Sequence, residues 1–140
     1  MDVLGSRILI RSADPARSQV FYRDVLGLAV YRQFGDPASA GLVFFLGGGF
    51  LEVAGHPTGG PAAAATQSPS VSLWLQVRDL RAEYARLGDA GVRIVRAPQR
   101  EGWGLDEMWI ADPDGLPIVL VEVPADHPIR LDTRPLTPSA

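Results

Sequence analysis

Arg7–Val30, RILIRSADPARSQVFYRDVLGLAV, reads as strand, aspartate-capped helix, glycine and strand. Ser72–Val95, SLWLQVRDLRAEYARLGDAGVRIV, reads the same way. In the first copy Ile8 and Ile10 alternate with Arg7, Leu9 and Arg11, as in a strand with one face on a core. Asp14 before Pro15 is a helix start: a side-chain acceptor at the cap, then a ring whose missing N–H costs nothing there. Val20, Phe21 and Val25 supply an apolar stripe, and Gly27 the stop. In the second copy Val71, Leu73, Leu75 and Val77 share one face, with Ser72, Trp74 and Gln76 on the other. Asp79 caps a helix whose apolar positions are Leu80, Tyr84 and Leu87, ended near Gly91. The two helical spans are nearly equal, which favours duplication over coincidence.

Working outward, three strands follow the first helix, at Leu28–Phe34, Gly41–Leu46 and Gly49–Ala54, with a tight turn at Gly47–Gly49. Strands near Val92–Arg96, Asp106–Ala111 and Leu116–Val123 follow the second, with Asp112–Gly115 (DPDG) as the turn before the last. The order is thus strand, helix and three strands, twice. Module one covers about residues 6–54, a Gly/Pro/Ala/Ser-rich linker residues 55–70, module two about residues 71–124, and an irregular tail residues 125–140. Each half is too small to bury its own core, so a cavity shared between them is where function is expected.

The bulk properties exclude several classes. At 140 residues the chain is one domain, or two half-modules around one core. No run of about 18 apolar residues exists to span a membrane. Met1–Leu9 lacks the features of a secretory signal, so the expected location is cytoplasmic. A net charge of −3 with scattered arginines argues against nucleic acid. With no cysteine there is no disulfide, thiolate metal site or cysteine nucleophile. All 13 basic residues are arginine, which removes lysine chemistry.

Asp14, Phe21-Tyr22, Leu26-Gly27-Leu28, Asp79-Leu80, Ala90-Gly91-Val92 and Asp112–Gly115, in this order and spacing, resemble the vicinal oxygen chelate (VOC) superfamily of glyoxalases, bleomycin-resistance proteins and dioxygenases. The resemblance runs from about Ser6 to Arg130. It implies an α+β fold of two tandem βαβββ modules whose curved sheets form a cleft. Enzymes of the family bind a divalent metal there through four positions, usually His or Gln on the first strand of each module and Glu on the last. In this chain those positions fall on Arg7, Glu52, Ser72 and Val119. Only Glu52 is a competent ligand. A two-residue slip offers Glu122, but on the face of Leu120 rather than Val119. His56 and His127 both precede proline in expected loops, outside the four positions. Trp103–Gly115, WGLDEMWIADPDG, is similar to a stretch in the bleomycin-resistance proteins, which bind a drug without chemistry. That likeness also implies a homodimer.

By alternation Arg7, Leu9 and Arg11 face the cleft, as do Ser72, Trp74 and Gln76; Phe50 with Glu52, and Glu107 with Trp109 and Ala111, share faces of later strands. Rings beside polar groups suit a flat heteroaromatic ligand. The expected ligand-binding residues are Arg7, Phe50, Glu52, Ser72, Trp74, Gln76, Trp103, Glu107, Trp109 and Val119, with no catalytic and no metal-binding residue. Plainer readings stand beside these: any one tryptophan packs a core, Trp103 anchors a surface loop, and Arg7 and Glu52 satisfy each other. Glu52 in a desolvated cleft is also a candidate general base with a raised pKa. The leading expectation is a cofactor-free protein that sequesters an aromatic natural product. The alternative is a metal-dependent lyase, isomerase or dioxygenase using Glu52 and Glu122. A third is a module for a metabolite or flavin-like ring.

Overall fold

A computed structural model of the chain describes residues 1–36, 40–55 and 71–129. They form two compact units: Met1–Val71 with the short return Ala111–Leu116, and Ser72–Ile110 with Pro117–Ala140. The expected linker from residue 56 onward, His56 included, and the tail from residue 130 lie outside the described residues.

The first unit holds β1 (Arg7–Arg11), α1 (Pro15–Val20), a π-helical turn (Phe21–Val25), β2 (Val30–Phe34), β3 (Gly41–Leu46) and β4 (Gly49–Ala54). Its sheet runs β1-β4-β3-β2, with β1 parallel to β4 and the other pairs antiparallel. The second holds β5 (Leu73–Gln76), α2 (Leu80–Asp89), β6 (Ile94–Arg100), β7 (Asp106–Ala111) and β8 (Pro117–Glu122). Its order, β5-β8-β7-β6 with β5 parallel to β8, repeats the first. These are the two βαβββ modules that the sequence pattern predicts.

Both helices start as their caps require. Asp14 accepts the Arg17 N–H at 3.1 Å and Asp79 the Ala82 N–H at 2.8 Å, each satisfying a donor that the first helical turn leaves unpaired. Helix α2 closes with Val92 N–H on the Leu87 carbonyl at 3.0 Å and Gly91 at φ +73°. The first helix ends differently. Leu26 N–H reaches back five residues to the Phe21 carbonyl at 2.8 Å, the mark of a π turn. One extra residue per turn rotates the helix end, so Phe21 and Tyr22 are both buried while Val20, expected on the apolar stripe, is 46% exposed.

Two further expectations change. Of the three apolar positions expected on α2, Leu80 and Leu87 are buried, whereas Tyr84 is 41% exposed. The strand expected at Val92–Arg96 runs from Ile94 to Arg100, and its register on β7 slips twice, on either side of Arg96.

In the first unit the sheet's helix side packs Ile10, Leu42, Phe44, Leu51 and Val53 with Phe21 and Tyr22. The Asp112–Gly115 turn is bolted to the same unit. Asp112 accepts the Asp114 N–H at 2.9 Å, the Leu116 N–H at 2.8 Å and the Tyr22 hydroxyl at 2.8 Å. Asp114 accepts from the buried hydroxyls of Ser12 at 2.6 Å and Ser18 at 3.2 Å. Every carboxylate of this turn is therefore occupied by structural bonds.

Candidate functional site

The sheet face opposite α1 is polar and aromatic. On it Glu52, 7% exposed, is gripped from both sides: Arg7 Nη1 donates to Oε2 at 2.9 Å and Arg11 Nη1 to Oε1 at 2.9 Å. The arrangement follows from register, because β1 lies parallel beside β4 with Leu9 opposite Glu52, which places Arg7 and Arg11 on either side. Burial pushes the Glu52 carboxyl up, but the hydrogen bonds and charges of Arg11 and Arg7 outweigh it and hold it below the usual glutamate range. The expectation of a raised pKa and a general base is thereby corrected: this carboxylate is a weaker base than a free one. Arg7 and Glu52 form the ion pair that the plainer reading expects, with Arg11 as a third member.

Beside this triad stand three rings. Tyr31, Phe45 and Phe50 pack with centroids 4.7–5.7 Å apart, and Tyr31 and Phe45 are 49% and 47% exposed. Phe50 belongs to the expected set; Tyr31 and Phe45 do not. A readable signal existed for Phe45, since a hairpin turning at Gly47–Gly48 sets Phe45 opposite Phe50. Tyr31 falls at a register shift between Val30 and Arg32, which alternation does not reveal.

In the second unit the corresponding face gathers Trp103, Glu107, Trp109 and Val119. Glu107, 6% exposed, accepts the Trp103 indole N–H at 2.9 Å and lies 3.7 Å from Arg96 Nη2. Arg96 also pairs with Glu101, and its Nε–H is buried with no partner among the described residues. These residues, with Trp109 and Val95, line a cavity of about 450 Å³. Trp109 both lines it and packs on the apolar cluster of Leu105, Val119, Val121 and Val123. Arg96 was missed in sequence because the register of β6 slips on either side of it, and Glu101 because it follows a strand that outruns its expected end. Trp74, 49% exposed, sits opposite Val119 on β5, with exposed Gln76 on the same face; exposed Ser72 immediately precedes the strand. None of these three lines the cavity.

The four positions where the resemblance implies metal ligands, Arg7, Glu52, Ser72 and Val119, are equivalent between the modules, Arg7 and Ser72 each lying two residues before the strand residue that pairs with Glu52 or Val119. Leu9 and Trp74 each lie five residues before a helix cap, and their partners on the last strand are Glu52 and Val119. The donor set is then a guanidinium, a carboxylate whose two oxygens are already bonded to arginines, a hydroxyl and a buried valine. That set does not suit a divalent cation. Glu122 does not restore it, because its carboxylate accepts the Leu80 N–H at 2.8 Å on the helix side of the sheet. His127 is tied down as well: its Nε2 bonds the Trp103 carbonyl at 2.9 Å and its Nδ1 accepts the Ile129 N–H at 3.3 Å.

Duplicated βαβββ modules, with helices on one sheet face and rings and paired charges on the other, define a class of two-module proteins. A family model of the Glyoxalase/Bleomycin resistance protein/Dioxygenase superfamily matches residues 6–120, and the chain belongs to that superfamily. A superfamily member from Sphaerobacter thermophilus DSM 20745 is 21% identical, with a TM-score of 0.65 over 86% of this chain and 98% of that one. TioX from Micromonospora sp. ML1 is 20% identical, with a TM-score of 0.68 over 86% and 98%. UcmS2 is 22% identical, with a TM-score of 0.71 over the same shares. At these identities the likeness concerns the fold. No curated protein matches the chain.

Proposed function

We propose that this chain is a metal-independent small-molecule binding protein of the bleomycin-resistance type. In this reading it works as a cytoplasmic homodimer and sequesters an aromatic natural product or antibiotic against its ring-bearing sheet faces. The observation that carries the reading is the state of Glu52. The one competent metal ligand among the four positions has both oxygens bonded to arginine, beside three rings of which two are half-exposed. An exposed ring cluster next to fixed polar groups supplies stacking area and orientation without a reacting group. The second unit offers the same combination at Trp103, Trp109, Arg96 and Glu107.

The test measures metal content on protein purified without chelators, together with tryptophan fluorescence during titration with bleomycin-class and other planar aromatic drugs. Saturable quenching by metal-free protein, diminished in Trp74→Ala and in Trp103→Ala, is the expected result. Stoichiometric zinc, iron, nickel or manganese would overturn the reading in favour of a metal-dependent lyase, isomerase or dioxygenase. Absence of both metal and drug binding would point to a metabolite or flavin-like ring instead.

A further inference from the structure

The larger cavity of the second unit, about 680 Å³, lies away from the ring-bearing face. It is lined by residues 78–81 and Tyr84 at the start of α2, by Ala97–Arg100 at the end of β6, and by Asp106 and Glu122. Strand alternation separates the two sites: Val119 and Val121 point to the Trp109 side of β8, while Glu122 points to α2. Its volume falls within the roughly 300–1,000 Å³ of small-molecule sites.

The formal charges in this cavity balance, three arginines against three acids, but their hydrogen bonding does not. Asp106 is held in a fork by Arg100, through Nε at 2.5 Å and Nη2 at 2.9 Å. Glu122 accepts the Leu80 N–H and Asp79 the Ala82 N–H. All three acids thus have donors. Arg78 and Arg81 have no acceptor among the described residues, although both line the cavity. The unanswered groups are two guanidinia, each a fork of donors matched to a carboxylate, sulfonate or phosphate. The cavity is also lined by apolar residues: Leu80, Ala97, Pro98 and the half-exposed ring of Tyr84.

We propose that this cavity binds a small aromatic anion, with Arg78 and Arg81 holding the acidic group and Tyr84 stacking on the ring. This site is independent of the proposed drug-binding face. It also accounts for a tyrosine placed at an apolar position of the helix pattern yet left uncovered.

The probe is naphthoate, titrated calorimetrically into the full chain, with naphthamide as its uncharged counterpart. Expected is one-to-one binding that weakens by about tenfold or more in Arg78→Gln/Arg81→Gln, weakens in Tyr84→Ala, and is unchanged in Trp74→Ala. Amide NMR shifts should move in residues 78–84 and 97–100 and show that each variant stays folded. Naphthamide should bind no better than the double glutamine variant binds naphthoate. The proposal is overturned if naphthoate binds more weakly than about 1 mM, if the glutamine variant binds it as well as the parent, or if Trp74→Ala removes the binding. Loss of drug quenching with naphthoate binding intact would sink only the sequestration reading.

Discussion

Glu52 and Asp112 are both nearly buried carboxylates, yet their surroundings push them in opposite directions. Glu52 is held low by two guanidinia that outweigh its burial. Asp112 is raised, because burial outweighs the bonds it receives from Leu116, Tyr22 and Asp114. A depressed acid contributes stability that is complete above its unfolded pKa, near 4.3 for glutamate, and is lost as pH falls through the folded value. A raised acid does the reverse. Its contribution is complete below about 3.9, the unfolded aspartate value, and is lost as pH rises through the folded one. Urea unfolding between about pH 3 and pH 7 should therefore give opposite trends for two isosteric variants. The advantage of wild type over Glu52→Gln shrinks on acidification, whereas its advantage over Asp112→Asn grows. Parallel trends would refute the assigned environments. Tyr22, whose hydroxyl proton is held firmly by burial and by Asp112, should stay neutral throughout. Tyr22→Phe should cost about 1–3 kcal/mol by leaving an Asp112 oxygen without its donor.

The two helix ends form a natural comparison between elements. Gly91 closes α2 at φ +73° with no atom within 4 Å of where a Cβ would stand. Gly91→Ala should then cost about 1 kcal/mol from backbone strain alone, read as a lower urea midpoint at unchanged slope. A cost several times larger would mean a packing role that this geometry does not contain. Gly27, at φ +77° after the π turn, is equally open. The caps and glycines of both helices were legible in sequence because they act locally, through one acceptor or one left-handed residue. The π turn was not, since nothing in Phe21–Val25 distinguishes five residues per hydrogen-bonded ring from four; burial of Tyr22 on Asp112, 90 residues away in sequence, decides it. The candidate site divides the same way. Alternation placed Arg7, Glu52 and Phe50 together and supplied Trp109 and Val119. It missed Tyr31 and Arg96, each beside a register shift that changes which face a residue takes.

Across the whole molecule, the duplicated plan separates rings that fold the protein from rings left over. Phe44 and Phe45 are neighbours on β3, yet Phe44 is fully buried on the helix side and Phe45 is 47% exposed beside Tyr31 and Phe50. Stability and binding should part company between them. Phe44→Ala removes a core ring and should cost about 3–5 kcal/mol. Phe45→Ala loses only half-exposed ring contacts, about 1 kcal/mol, and should lower the unfolding midpoint far less than Phe44→Ala does. If the ring face holds the aromatic ligand, Phe45→Ala should nonetheless weaken drug binding by up to about tenfold, the equivalent of one good stacking contact. Dialysis against a chelator should change neither the midpoint nor the affinity, because the four positions that pairing equates across the modules offer a cation no open donor set. Unaltered affinity in Phe45→Ala would remove the first unit's rings from the binding account. Chelator-sensitive affinity would require Glu52 to leave Arg7 and Arg11 when ligand arrives.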